Sequence, residues 1–163
     1  MRHKFFLPAV VLSGIVLCAG IFLSSSYGEQ PYKTHLRTQE LAIETKGGTH
    51  HRFIVEVADK PLDREVGLMH RDYMPEDHGM IFIFDGPPEI IRFWMKNTLI
   101  PLDMIFIDDQ NKIAHIHENA TPLSLQGISS TVPVVAVLEI NGGQSSKRDI
   151  QVGDKVIFTY VRQ

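Results

Sequence analysis

The chain has 163 residues, with 16 Lys and Arg against 19 Asp and Glu and a formal net charge of −3. That acidic balance argues against nucleic acid or an anionic membrane surface as a partner. The one cysteine, Cys18, lies in an apolar N-terminal run. The rest of the chain therefore has no disulfide, thiol nucleophile or thiolate metal ligand, which excludes disulfide oxidoreductases and zinc ribbons.

Arg2, His3 and Lys4 precede an apolar run from Phe5 to Leu23, and Ser26-Tyr27-Gly28 follows with small residues where a signal peptidase reads. Residues 1–28 are expected to be a signal peptide cleaved before Glu29, which places the domain in the periplasm or outside the cell. The run is also just long enough to cross a bilayer, so the alternative is an uncleaved anchor over residues 5–23. Only in that case is the membrane a partner. Leu17 stands before Cys18 where a lipoprotein needs a small residue. Without the leader, 14 basic residues face 19 acidic ones over roughly 135 residues. That length suffices for one hydrophobic core and not for two.

Residues 29–40 are polar and without period, and read as a linker to a domain over 41–163. Leu41–Thr45 and Arg52–Val57 are β-patterned and flank Lys46-Gly47-Gly48-Thr49, which predicts a hairpin. Asp59 is placed to cap a short helix begun by Pro61 and ending near Arg71, with Leu62, Val66 and Met69 on its buried face. Met80–Phe84 is apolar at every position, as a central strand covered on both sides would be. Gly86-Pro87-Pro88 then turns the chain into a strand holding Trp94.

At period two, Ile91, Phe93 and Met95 fall on one face of that strand, and Arg92, Trp94 and Lys96 on the other. Asp103–Asp108 and Lys112–Glu118 predict a hairpin around Asp109-Gln110-Asn111. Residues 119–131 form a long loop rich in Ser, Thr, Pro and Gly, of a length often tied to function. Val132–Ile140 is a second two-sided strand with Pro133 at its start or at an edge. Asn141-Gly142-Gly143 turns it into a polar, helix-compatible link, and Gly153-Asp154 opens the last strand, Lys155–Val161. About eight short strands and one short helix predict a mostly β fold, a single small sandwich or barrel.

Four segments carry a resemblance to a known family. They are Gly67-Leu68-Met69-His70-Arg71, Gly79-Met80-Ile81-Phe82-Ile83-Phe84, Phe93-Trp94-Met95-Lys96-Asn97-Thr98 and Val137-Leu138-Glu139-Ile140. Over about Phe53 to Val156 the chain resembles the small prokaryotic family called domain of unknown function 192. It departs from the family pattern at His70, where an aromatic residue is common, and at Lys60, where a capping Thr or Ser is usual. The resemblance implies a compact β-sandwich of jelly-roll type, commonly exported. It implies no particular activity.

The Trp94 face is the leading site candidate. An indole between cations can stack on a sugar or hold an anion, with Lys96, Asn97, Thr98, Arg92 and Arg71 as polar contacts. The competing structural account has Arg92 and Lys96 lying over a half-buried indole. Asp103 and Glu139 are the candidate catalytic carboxylates. Glu139 ends an apolar run, where burial demands a partner, and Arg71, Arg92 or Lys96 could supply one. As an acid/base pair the two would suit cleavage of an envelope polymer. Paired with one of those cations, Glu139 would instead form a structural ion pair that locks helix to sheet.

His115 and His117, at i and i+2, share one side of a strand and are the candidate metal ligands. They resemble part of a cupin motif but lack its downstream His. No Gly-x-Ser-x-Gly elbow, P-loop or dinucleotide fingerprint appears, and no cofactor is implied. The leading expectation is an exported domain binding a cell-envelope glycan or another envelope component around Phe93–Asp103. The alternatives are an envelope-polymer hydrolase and an accessory domain that contacts an envelope protein through the 119–131 loop.

Overall fold

The structure, a computed structural model, describes residues 36–160. The expected leader or anchor and most of the expected linker lie outside the described residues. The first strand, β1 (Thr38–Glu44), begins inside the segment expected to be linker. Thr38, Gln39 and Glu40 pair with Glu56, Val55 and Ile54. Polar side chains hide these first three positions from periodicity, because ladder hydrogen bonds and not an apolar face extend the strand ahead of Leu41. Arg37 Nη2 also donates to Asp59 at 2.8 Å just ahead of β1.

β1 and β2 (His50–Ala58) form the expected hairpin, turned through Thr45–Thr49 with Gly48 at φ 81°. From β2 the chain crosses through α1 (Pro61–Val66) into β3 (His78–Ile83), which lies parallel to β2. Parallel neighbours cannot be joined by a tight turn, and α1 supplies the crossover. The helix differs from expectation in three ways. Its N-cap is Lys60 with no side-chain cap bond, while the Asp59 carboxylate accepts from Arg37 and from Tyr160 Oη at 3.1 Å. It stops at Gly67 (φ 48°) and not near Arg71, and Leu62 is exposed while Asp63 and Leu68 are buried.

The later elements are β4 (Arg92–Phe93), β5 (Leu102–Ile107), β6 (Ile113–Ala120), β7 (Ile128–Ser129), β8 (Ala136–Asn141), α2 (Gln144–Lys147) and β9 (Lys155–Ile157). Seven strands make one sheet in the order β6-β5-β8-β3-β2-β1-β9, antiparallel except for β2 and β3. The sheet curls until its two edges meet. Lys112 bridges Lys155, Ile113 N donates to Asp154 O at 2.9 Å, and Gly153 N donates to Ile113 O at 2.7 Å.

Curling gives the sheet an inside and an outside, and alternation along the central strands fills both. Ile81, Ile105, Leu138 and Ile140 join Leu41, Phe53 and Val55 in one core. Met80, Phe82, Met104, Phe106 and Val137 form the other. The second core is roofed by the β4–β7 ribbon, through Ile91, Met95, Ile128 and Val134. The described residues thus form a single small, mostly β domain, and β3, β5 and β8 are buried on both faces as strands of such apolar composition should be. The 119–131 segment is less of a loop than expected. It ends β6, contains β7, and its Ser124 and Ser130 backbones bond to Met95 and Ile91.

Candidate functional site

Only Arg92 and Phe93 of the Trp94 segment form a regular strand, yet the period-two reading holds beyond them. Ile91 and Met95 are buried, Phe93 is partly buried, and Arg92, Trp94 and Lys96 face out. Hydrogen bonds to residues 124–130 on one side fix this register: Ile91 N donates to Ser130 Oγ at 2.9 Å and Met95 N to Ser124 O at 3.0 Å. On the other side His70 N donates to Asn97 O at 2.8 Å, which ties the segment to the turn after α1. Asn97 takes φ 57°, a conformation its short side chain tolerates better than most.

Between these two anchored segments lies a pocket of about 340 Å³. One wall is α1 and Gly67–Met69; the other is Arg92, Phe93, Trp94 and Lys96 with Thr98; Phe84 and the buried Phe82 and Glu139 complete the lining. Gly67 makes the cleft possible, because a Cβ there would stand 3.2 Å from Phe82 Cζ. Phe82 and Phe93 pack edge to face at 4.9 Å beneath it. The volume is within the range of small-ligand sites.

Glu139 is the unusual group. It is 4% exposed, and its carboxyl has no hydrogen-bond partner among the described residues. None of the cations considered as its partner bonds to it. Loss of solvent pushes its carboxyl up to about 8, so it carries a proton at neutral pH. Its strand neighbours Met80 and Met104 offer no polar atom of use.

At the mouth, Trp94 is 50% exposed and Lys96 Nζ lies 5.2 Å from the ring centroid. The snorkelling geometry is therefore present for Lys96, on an indole that still keeps half its surface open. Arg92 lies against Gly127, where a Cβ would come within 3.0 Å of its Cδ. Arg64 borders the same pocket but is already engaged, donating to Asp59 O at 2.6 Å and Ile83 O at 3.0 Å.

Trp94, Lys96, Arg92, Thr98 and Glu139 therefore share one pocket, whereas the other candidates lie elsewhere. Arg71 makes a two-pronged ion pair with Glu56 on β2 (Nη2 to Oε2, 2.7 Å). Asn97 is exposed and directs its amide toward Met69 Sδ at 3.8 Å. Asp103 is fully buried on the opposite face of the sheet from Glu139, accepting from Asn119 N (2.9 Å), Gly143 N (2.8 Å) and Ser145 N (2.8 Å). His115 and His117 do share a face of β6, beside Phe106 and Met104. His115 stacks on Phe106 at 5.5 Å and is shifted toward its neutral form, by burial first and then by His117. Among the described residues, no third His, Cys, Asp or Glu gathers with them.

The wall formed by Arg64, Gly67 and Leu68 was not among the sequence candidates. Nothing local marks it; the parallel crossover of α1 brings it opposite Trp94.

The family model for domain of unknown function 192 (DUF192), described as "Uncharacterized ACR", matches residues 42–158. Two crystal structures are similar across the domain. One is a Sinorhizobium meliloti 1021 protein described as a "putative transcription regulator", 41% identical with a TM-score of 0.74, covering 77% of this chain and 96% of that one. The other is a protein of unknown function from Novosphingobium aromaticivorans DSM 12444, 36% identical with a TM-score of 0.72, covering 76% of this chain and 86% of that one. No curated protein matches the chain.

Proposed function

The chain belongs to the DUF192 family, and from that premise we propose that it is an exported domain that binds a cell-envelope saccharide in the Trp94 pocket. One observation carries this reading: a half-exposed indole at the mouth of a pocket lined also by a buried carboxyl, Glu139, that has no hydrogen-bond partner among the described residues. A buried carboxyl that faces a pocket and no protein hydrogen-bonding group is poorly solvated. A ligand hydroxyl accepting a hydrogen bond from the neutral Glu139 carboxyl would offset that. The indole offers the flat apolar face of a sugar a surface to cover.

Trp94 is the only tryptophan, so intrinsic fluorescence reports on the site directly. Titration with envelope glycans should give a saturable change, and Trp94→Ala should abolish binding measured by calorimetry while the fold is retained. If Trp94→Ala binds as well as the parent, the pocket reading is lost. Export rests on the leader sequence. N-terminal sequencing of the cellular protein should find Glu29, whereas an intact Met1 would indicate the anchored form.

A second reading has one observation in its favour. A protonated buried carboxyl is the state a general acid requires, so Glu139 could donate a proton to a glycosidic oxygen. Asp103 is unsuited to be its partner because of its place on the far face. Turnover of an envelope polymer that vanishes in Glu139→Gln would favour this reading over simple binding. The regulator description of the S. meliloti relative finds little support in the described helices. At six and four residues, α1 and α2 are too short to read a major groove.

A further inference from the structure

A bare indole and an indole beneath a cation select different ligands. Lys96 Nζ already occupies the region over the Trp94 ring, 5.2 Å from its centroid. A neutral sugar stacking there must displace that ammonium and forfeit the contact, whereas an acidic sugar meets it as a counter-ion.

Some cations of the fold are held by acids and others are not. Arg71 holds Glu56, Arg37 holds Asp59 and Lys147 holds Glu76. Among the described residues, Lys96 and Arg92 have no acidic partner, and they stand on the same side of β4 at the mouth of one pocket. The acids bordering that pocket are Glu65, exposed at its outer edge, and Glu139 at its base. Glu139 has no partner there, and in its neutral form it sets no negative charge against an incoming anion.

We infer that the ligand is an acidic saccharide, its carboxylate held at the mouth by Lys96 and Arg92 while a hydroxyl of the same molecule reaches Glu139. This assignment rests on the pocket-binding reading and narrows it. The two cations select the charge, the indole covers the sugar face, and the buried carboxyl rewards a ligand long enough to span mouth and base.

The test is calorimetric titration of the full chain with uronic-acid trisaccharides and with the carboxyl-reduced, neutral form of each. The acidic members should bind at least about tenfold more tightly, as expected for one charge-assisted contact. That preference should collapse toward parity in Lys96→Gln and in Arg92→Gln, with circular dichroism and melting temperature unchanged. Equal binding of acidic and neutral forms would overturn the charge assignment and leave the pocket reading intact. An acid preference that survives both substitutions would also overturn it, since the carboxylate would then be held elsewhere. Failure of every member to bind would overturn both readings together.

Discussion

Asp103 and Glu139 occupy neighbouring strands yet project from opposite faces of the sheet. In the β5–β8 register Asp103 lies across from Ile140 and Met104 across from Glu139, and side chains paired in this way share a face. The two carboxylates live in opposite environments. Asp103 is surrounded by three backbone donors, one from the end of β6 and two from the start of α2, and Glu139 by apolar side chains and an open pocket. One is spent on architecture; the other is free to meet a ligand.

Asp103→Ala should therefore act on stability. It leaves the N–H groups of Asn119, Gly143 and Ser145 without their acceptor. An unmet buried donor costs about 1–3 kcal/mol, and because two of these three bonds are only partly buried a total loss of about 3–5 kcal/mol is expected. Asp103→Asn should fall between, because one carboxylate oxygen becomes a donor where a donor already points. Urea denaturation measures both, and a loss below about 1 kcal/mol for the alanine variant would contradict the role assigned.

Glu139 should leave a mark on the pH profile. Facing it are Met80 and Met104 from the flanking strands, Arg64 and Glu65 from α1, and Arg92 and Lys96 beside β4. The unfolded chain releases this proton near the ordinary carboxyl value of 4.5, while the folded chain keeps it to about 8. Within that window the folded state binds more protons, so stability is greatest below it and falls as pH rises. The slope from this group is at most about 1.4 kcal/mol per pH unit and vanishes above the folded value. Glu139→Gln should flatten the profile and gain most in melting temperature near the top of the window. Parallel profiles for parent and variant would show that Glu139 is not held neutral.

How much of this was legible before the fold depended on the kind of signal. Met80–Phe84 and Val132–Ile140 read as two-sided strands because apolar side chains at successive positions need cover on both faces, and β3 and β8 have it. The alternation around Trp94 survives although only two residues there pair as strand, because burial of Ile91 and Met95 sets it. Glu139 was conspicuous as a carboxylate in an apolar run, but its surroundings were not. Arg71, one expected partner, is taken by Glu56, a pairing across β2 that no local spacing announces. The Gly67 wall of the pocket depends on β2 and β3 lying parallel, and periodicity within a strand says nothing about which strand lies beside it.

Gly67 should be intolerant of a side chain for two separable reasons. Its φ of 48° disfavours other residues, and a Cβ would meet Phe82 at 3.2 Å and 3.3 Å. Gly67→Ala is expected to cost about 1–3 kcal/mol by denaturation and to narrow the pocket. Adding Phe82→Leu should recover part of that loss if crowding dominates. If the double variant loses the simple sum of the two single costs, backbone strain is the source.

Trp94 and Met95 are adjacent and should respond in opposite ways. Trp94 is 50% exposed and Met95 is fully buried in the core beneath the β4–β7 ribbon. Met95→Ala removes a packed side chain from a site with little room to collapse, and should cost about 2–5 kcal/mol. Trp94→Ala gives up the contact with Lys96 and part of its apolar cover, a loss expected below about 1 kcal/mol. Urea denaturation of the two variants, followed by circular dichroism because the tryptophan probe is removed from one, compares them on the same scale. A large loss for Trp94→Ala would make the indole a core residue and withdraw its role as a platform. A large loss for Met95→Ala alone is what an indole free to meet a ligand requires.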